Sequence, residues 1–518
     1  METTHYASNT NKEGEYIPKS YRFERDMDTS NLKKRYDFLQ FDDEANEHIV
    51  YQDIQELIDK PSELAKLVNY FVTHQKVRLE ILEDYSRGEN YTILNGRKRL
   101  EEDKADYRIR HDLAGKASRF FTGYSVGKPI TITDSEGADV FSVYDFNNYN
   151  DIESLDRELV YDASRFGRAF ELHYRDSENT NAVVLVDAKE MFTIRSADVK
   201  HEIIGAVHCP VYNNQMFVSL YTNNHIYKYQ PTDTSSIALV KDGEGISHDY
   251  GMVPIVEWQN NRERFGDWEK AIPLIDAYDA AESDTANYMS DLNDALLVIK
   301  GDLEASGLTP TDAEKMKRAN MLVLESGMTV SGTQTSVDAG YIYKQYDVTG
   351  TEAYKTRLLR DFYSNIGLID VQNDSSFSAS SGIAIRYKLV DLEQVATFKK
   401  GFFIKALRRR FRILENINKA LNNEVVSADD LVFTFHENLP TDIWAEIQSY
   451  INAGGEISQE TLMENASFTD SVKEKKRLLD DTVPNTASDE ERSFLTSDNT
   501  DTIGGDTVDG NEQQAVQQ

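Results

Sequence analysis

The stretch "HDYGMVPIVEWQNNRERFGDWEKAIPLIDAYDAAESDTAN", His248 to Asn287, joins two kinds of sequence. Up to Trp258 the apolar period is two, that of a strand; after Gly266 it is that of a helix. The helical pattern predicts one helix over residues 266–301. At 100° per residue, Leu274, Tyr278, Ala281, Tyr288, Leu292, Leu296 and Ile299 share one face, and Glu269, Asp276, Asp279, Asp284, Asp291 and Asp294 fall opposite. The common fate of such an acidic stripe is solvation. The sharper reading is an acidic wall repeated around a ring of copies.

Upstream, "AFELHY", "AVVLV", "MFTIR", "MFVSLYT" and "HIYKYQ" predict short strands of an antiparallel meander between Ala169 and Trp258, with a tight turn at Asn223-Asn224. Helices are predicted from Pro61 to a stop at Gly88, with Leu64, Leu67, Val68 and Phe71 on one face, and over residues 103–121 and 152–165. Downstream, residues 302–349 form a compact insert with a short helix near "PTDAEKMKRA" and strands near "NMLVLES" and "GYIYKQY". A second helix, "TEAYKTRLLRDFYSNIGLID", puts Leu358, Phe362, Ile366 and Ile369 on one face; Lys355, Arg357 and Arg360 are basic partners for an acidic neighbour. Helix, small insert, helix is the layout of a stalk with a knob at its end.

Then comes "QNDSSFSASSGIAIRYK", Gln372 to Lys388, uncharged from Ser375 to Ile385 in a chain that is 28% charged. A long helix is predicted over 383–421. Its basic run, Lys405 to Arg412, keeps Leu407 and Phe411 on the core face and its arginines on the flanks, for pairing with acidic neighbours or an adjacent subunit ahead of DNA. "LVFTFH" reads as a strand. From Pro484 the chain is Asp/Ser/Thr/Gly/Gln-rich and is expected to be disordered.

The 518 residues carry 89 acidic and 56 basic side chains, a net charge of −33, which disfavours a protein that grips nucleic acid by neutralising phosphates. The single Cys209 excludes an intramolecular disulfide and reads as a buried strand residue. No apolar run spans a bilayer, and the polar N-terminus lacks a signal-peptide core. Scattered histidines, no phosphate loop and no G-x-S-x-G elbow leave an enzyme reading without a constellation, and no metal or cofactor is expected.

Several stretches together resemble the portal proteins of long-tailed double-stranded DNA bacteriophages of Gram-positive hosts. They are "LEILEDYSRGENYTI" with "FFTGYSVGKPITI", "YDASRFGRAFELHYRDSENT" with "LVDAKEMFTI", the opening stretch, and "SSFSASSGIAIRYKLVDLE". The resemblance runs in family order over residues 60 to 480. It implies an α+β, predominantly helical portal fold with wing, stem, clip and crown, assembled as a ring, usually of twelve subunits, around an axis through which DNA passes.

Carried onto this chain, the resemblance implies an N-terminal arm (1–50), a wing (51–262), a stem helix (263–301), a clip (302–349) and a second stem helix (350–371). A tunnel loop (372–382), a long wing helix (383–425), a wing end with crown (426–483) and an acidic tail (484–518) complete it. The DNA-facing loop would be Ser375, Ser376, Phe377, Ser378, Ala379, Ser380, Ser381 and Gly382. The stem would line the channel or the subunit interface through Asp276, Asp279, Asp284, Asp291, Asp294, Lys355, Arg357 and Arg360. The clip would present Lys315, Lys317, Arg318, Tyr341 and Tyr343. Implied partners are the terminase large subunit, head-completion or adaptor proteins, major capsid and scaffolding proteins, and double-stranded DNA. The implied place is the virion's portal vertex, after assembly in the host cytoplasm, with no membrane. The rivals are a serine hydrolase built on Ser380 or Ser381, and an oligomeric scaffold without DNA transport.

Overall fold

The computed structural model describes residues 46–95, 105–234, 236–291, 296–300, 315, 321–323, 338–342, 347–368, 389–423, 425–436, 463, 474 and 477. The chain divides into two units, 1–440 and 441–518, and the elements below belong to the first.

After a short strand β1 (Ile49–Tyr51), helix α1 (Ile54–Asp59) opens on Asp53, whose carboxylate accepts the Gln55 N–H that the helix itself leaves free. Helix α2 (Pro61–Tyr70) starts on proline, whose missing N–H costs nothing in a first turn. A π turn, Phe71–Gln75, leads into α3 (Lys76–Ser86). Leu64, Leu67, Val68 and Phe71 are fully buried, as their spacing predicts, each burial being worth about 1.5–3 kcal/mol. Helix α4 (Tyr91–Asn95) follows.

The helix predicted over 103–121 begins only at Leu113. Asp112 is the cause: its side chain accepts Gly115 N–H at 3.0 Å and so caps α5 (Leu113–Val126). Residues 105–112 are not helical. Strand β2 (Thr131–Asp134) and helices α6 (Phe141–Tyr149) and α7 (Ile152–Phe166) come next. At Gly167, which ends α7 with φ 78°, a Cβ would lie 1.8 Å from the Arg264 carbonyl oxygen, so only glycine fits.

The antiparallel meander is present but divided between sheets. Strands β3 (Arg168–Arg175) and β4 (Asn181–Val186) pair with the distant β13 (Ile255–Gln259) in the order β13-β3-β4. A six-stranded sheet takes β5 (Met191–Ser196), β6 (Ile203–His208), β9 (Ser219–Tyr221), β10 (His225–Lys228) and β12 (Ile246–Ser247), with β1 added parallel to β5. Short β7 (Val211–Tyr212), β8 (Gln215–Met216) and β11 (Thr232–Asp233) form a third. The turn at Asn223-Asn224 joins β9 to β10 as expected, but the left-handed asparagine pair is Asn213 and Asn214, with φ of 51° and 62°. Cys209 is buried, which pushes its thiol up to about 12.

The helix predicted over 266–301 is shorter. A 3₁₀ turn, Glu269–Ala271, leads into α8 (Ile272–Asp291), and Leu296–Lys300 is strand β14, so Leu296 and Ile299 are not on a helix face. The Leu-Leu-Val-Ile run suits either state; partners from the insert decide it. These are β15 (Met321–Val323), parallel, and β16 (Asp338–Ile342), antiparallel. Helix α9 (Val348–Asn365) is capped by Asp347, and α10 (Val390–Leu421) ends at Asn422 with φ 56°. Residues 383–388 and the tail 484–518 lie outside the described residues. Strand β17 (Leu431–Thr434) closes on β2.

Candidate channel and subunit-interface elements

Helix α8 packs against α9, and Leu358 and Phe362 are buried on the inner side of α9. Ile366 is buried too, while Ile369 lies outside the described residues. Lys355, expected among exposed pairs, is buried: its Nζ lies 3.0 Å from Glu282 of α8 and 3.0 Å from Glu352. Arg357 is exposed, 3.5 Å from Asp361, and Arg360 is exposed.

The acidic stripe on α8 is largely not a solvent face. Asp279 and Glu269 are buried, and Asp276 accepts the Tyr85 hydroxyl at 2.6 Å. Asp284 is exposed beside Ala280. Asp291 ends α8, and Asp294 lies outside the described residues. Asp279 is therefore neither channel-lining nor an interface residue, because its own chain encloses it.

What encloses it is a ladder that sequence reading missed. Tyr107 N–H donates to Asn287 Oδ1 at 2.6 Å, Ile109 N–H to Ser283 Oγ at 2.8 Å, and His111 N–H to Asp279 Oδ1 at 3.1 Å. Asn287 Nδ2 returns a bond to the Tyr107 carbonyl at 3.2 Å. Four helical residues rise about 6 Å and two extended residues about 6.6 Å, so every fourth side chain of α8 meets every second residue of the strap. Asn90 Nδ2 and His111 Nδ1 complete the shell of Asp279. The spacing Asp279, Ser283, Asn287 was the available signal; its partner lay far away in sequence.

The basic run on α10 resolves as its apolar members imply. Leu407 and Phe411 are buried, and Arg409, Arg410 and Arg412 find intramolecular partners. Arg410, fully buried, places Nη2 2.7 Å from both Glu171 and Asp156, with its guanidinium 5.1 Å from the Trp258 ring centre. Burial pushes Glu171 up, but Arg410 and His173 outweigh it and hold the carboxyl at about 2. Arg409 donates to the carbonyls of Ile255 and Val253, and Arg412 pairs with Asp429. Arg408 and Lys405 are exposed.

Nearer its start, α10 sends Lys399 into a buried pair with Asp267, 4.0 Å from the Phe121 ring centre. Ser164 Oγ donates to Asp267 at 2.6 Å and lies 3.1 Å from Ser118 Oγ, which accepts Trp268 Nε1–H at 2.8 Å. This network ties α10, α7, α5 and the root of α8 together. Burial lowers the Lys399 ammonium pKa despite the carboxylate beside it.

Of the residues that the resemblance assigns to a clip, Lys315 is exposed and Tyr341 pairs with Leu297 across β16 and β14. Lys317, Arg318, Tyr343 and the whole loop Ser375 to Gly382 lie outside the described residues. Among the described residues no cluster of His, Cys, Asp and Glu could hold a metal ion, and no helix is long and apolar enough to cross a membrane.

Among curated proteins, the portal protein of Bacillus phage SPP1 is 23% identical over 458 residues, 83% of this chain and 85% of its own. The portal protein of Clostridium phage phiCD119 is 22% identical, over 64% of this chain and 74% of its own. A solved neck of an empty GTA particle, computed with C6 symmetry, is similar at TM-score 0.40 and 12% identity, covering 71% of this chain and 89% of that one. The model of the family "Phage portal protein, SPP1 Gp6-like" matches residues 66–483. With most of its length inside that match, the chain belongs to the SPP1 Gp6-like family of phage portal proteins.

Proposed function

We propose that this chain is the subunit of a closed ring, of twelve copies, at one capsid vertex, through whose axis double-stranded DNA is packaged and later released. Membership of the portal family along most of the chain carries this reading. The family is structural rather than enzymatic, so the motor's ATPase is a separate chain. In this reading residues 51–262 and 383–425 form the wing, α8 and α9 the stem, and 302–349 the clip, which docks the terminase large subunit and then head-completion proteins. The ring needs head-to-tail contacts between unlike surfaces. Exposed Asp284 on α8 and exposed Arg357 and Arg360 on α9 offer opposite charges for one such contact.

The loop from Ser375 to Gly382 is then the constriction. A loop touching a moving polyanion must not hold it: arginines would add salt-linked affinity, and aspartates repulsion at closest approach. Small hydroxylated residues give steric contact without either. The test is electron microscopy of the purified protein, then packaging with Ser378→Arg and Ser378→Ala. An axial hole with packaging slowed by Ser378→Arg and spared by Ser378→Ala is expected. A compact monomer with a deep pocket would overturn the portal reading.

A further inference from the structure

Helix α10 carries a second stripe that the described residues leave uncovered. Its inner stripe, including Leu392, Phe403, Leu407 and Phe411, is buried. On the outer side Phe398 is 58% exposed, the most exposed phenylalanine among the described residues. Its ring stands edge-on to Phe402 at 5.4 Å, and Lys405 Nζ sits 5.3 Å from the Phe402 ring centre. A long helix with apolar side chains on two sides is normally covered on both.

Gly401 falls between Phe398 and Phe402 in sequence, inside a helix of 32 residues. Glycine there weakens the helix, and some close approach usually explains it. Here a Cβ built on Gly401 would meet nothing within 4 Å, so nothing among the described residues requires glycine. Toward the start of the helix a cleft of about 540 Å³ runs between α10 and the end of α9, lined by Phe265, Ile366, Val395 and Phe398 over Lys399. Further along the same side, Lys405 and Arg408 are exposed and form no ion pair among the described residues, in a chain with a net charge of −33.

We propose that this face of α10 (Phe398, Gly401 and Phe402, flanked by Lys405 and Arg408) is one side of the contact with the neighbouring copy of the chain. The inference rests on the ring reading, which requires each subunit to offer two unlike surfaces. Charge complementarity selects the occupant: two unpaired cations face a second copy whose surface is strongly acidic. DNA would engage the cations but has no use for an exposed Phe398 ring set against half-buried Phe402 beside a bare glycine. The missing side chain at Gly401 lets the neighbour's backbone approach the helix.

The glycine supplies a test in which stability and assembly move in opposite directions. Wild type, Gly401→Leu, Phe398→Asp and Arg408→Glu are compared by light scattering and electron microscopy over a concentration series, with thermal melts followed by circular dichroism. Gly401→Leu is expected to melt at or above the wild-type temperature, yet to need at least tenfold more protein to form rings. Phe398→Asp should raise that concentration similarly, and Arg408→Glu should do so most at low salt.

Rings formed by all three variants at the wild-type concentration overturn the inference. So does unchanged ring formation with loss of DNA retention in Arg408→Glu, which would assign the face to DNA. A wild type that never forms rings under any condition sinks the portal reading itself, a result distinguishable from either.

Discussion

Asp279 Oδ1 accepts the backbone N–H of His111 at 3.1 Å and its ring Nδ1–H at 2.9 Å, binding helix α8 to a non-helical strap 168 residues earlier. The carboxylate is fully buried, so removing it strands the buried Asn90 amide and leaves two half-buried His111 donors without their acceptor. Asp279→Ala is expected to cost about 3 kcal/mol in chemical denaturation and Asn287→Ala, at the outer rung, about 1 kcal/mol. Hydrogen exchange should find the amides of residues 107, 109 and 111 slower than those of 108 and 110. Uniform exchange along the strap would refute the ladder.

Arg410 has a different consequence. It compensates both Glu171 and Asp156, and neither carboxylate has access to solvent sufficient to replace it. Arg410→Met should lose about 3–5 kcal/mol because two buried acids are left without a cation. Adding Glu171→Gln and Asp156→Asn should recover much of the loss. A triple variant less stable than the single one would show that packing around Trp258, not charge, sets the cost.

His48 makes stability depend on pH in an accessible range. Burial first, then Arg264, with Arg195 and Arg168 behind it, pushes its pKa down to about 3 against the opposing pull of Glu257. Its Nδ1 accepts from Arg195 Nε at 3.1 Å, which requires the neutral ring. A depressed value means that the unfolded chain takes up a proton near 6.5 while the folded one does not. The stabilisation is full above 6.5 and is lost as the pH falls toward 3. Between pH 6 and pH 4 His48 should contribute a slope of about 1.4 kcal/mol per unit. His48→Gln should remove that part of the slope; an unchanged slope would place the proton uptake elsewhere.

These cases separate what was legible in the sequence from what was not. Helices α2, α7 and α9 and most meander strands follow from apolar spacing and local signals such as Pro61, whose effect acts within a turn. Asp279 was misread as solvent-facing because helical periodicity assigns polar residues outward, and its partner strap has no local signal. Leu296 to Lys300 was misread because five apolar-rich residues fit either period until β15 and β16 supply strands to pair with. Arg410 was placed on a flank, since nothing near it in sequence announces Glu171 or Asp156. Long-range polar partnership, not apolar pattern, is the information a single sequence withholds.

Asn150 guards a sheet edge. Strand β4 is last in the order β13-β3-β4, and its outward backbone is met by a side chain instead of a further strand. Asn150 Oδ1 accepts Val183 N–H at 3.0 Å, and its Nδ2 donates to the Asn181 carbonyl at 3.1 Å. The strand itself reads Asn-Ala-Val-Val-Leu-Val, with Val184 exposed, which is the composition that recruits another edge. Asn150→Ala is expected to lower stability by about 1–2 kcal/mol and to speed aggregation at fixed concentration. Adding Val184→Lys should then restore solubility without restoring stability, because the charge blocks edge pairing but replaces neither hydrogen bond. Light scattering alongside thermal melts separates the two effects. If Asn150→Ala aggregates no faster than wild type, the edge is protected by something other than this amide.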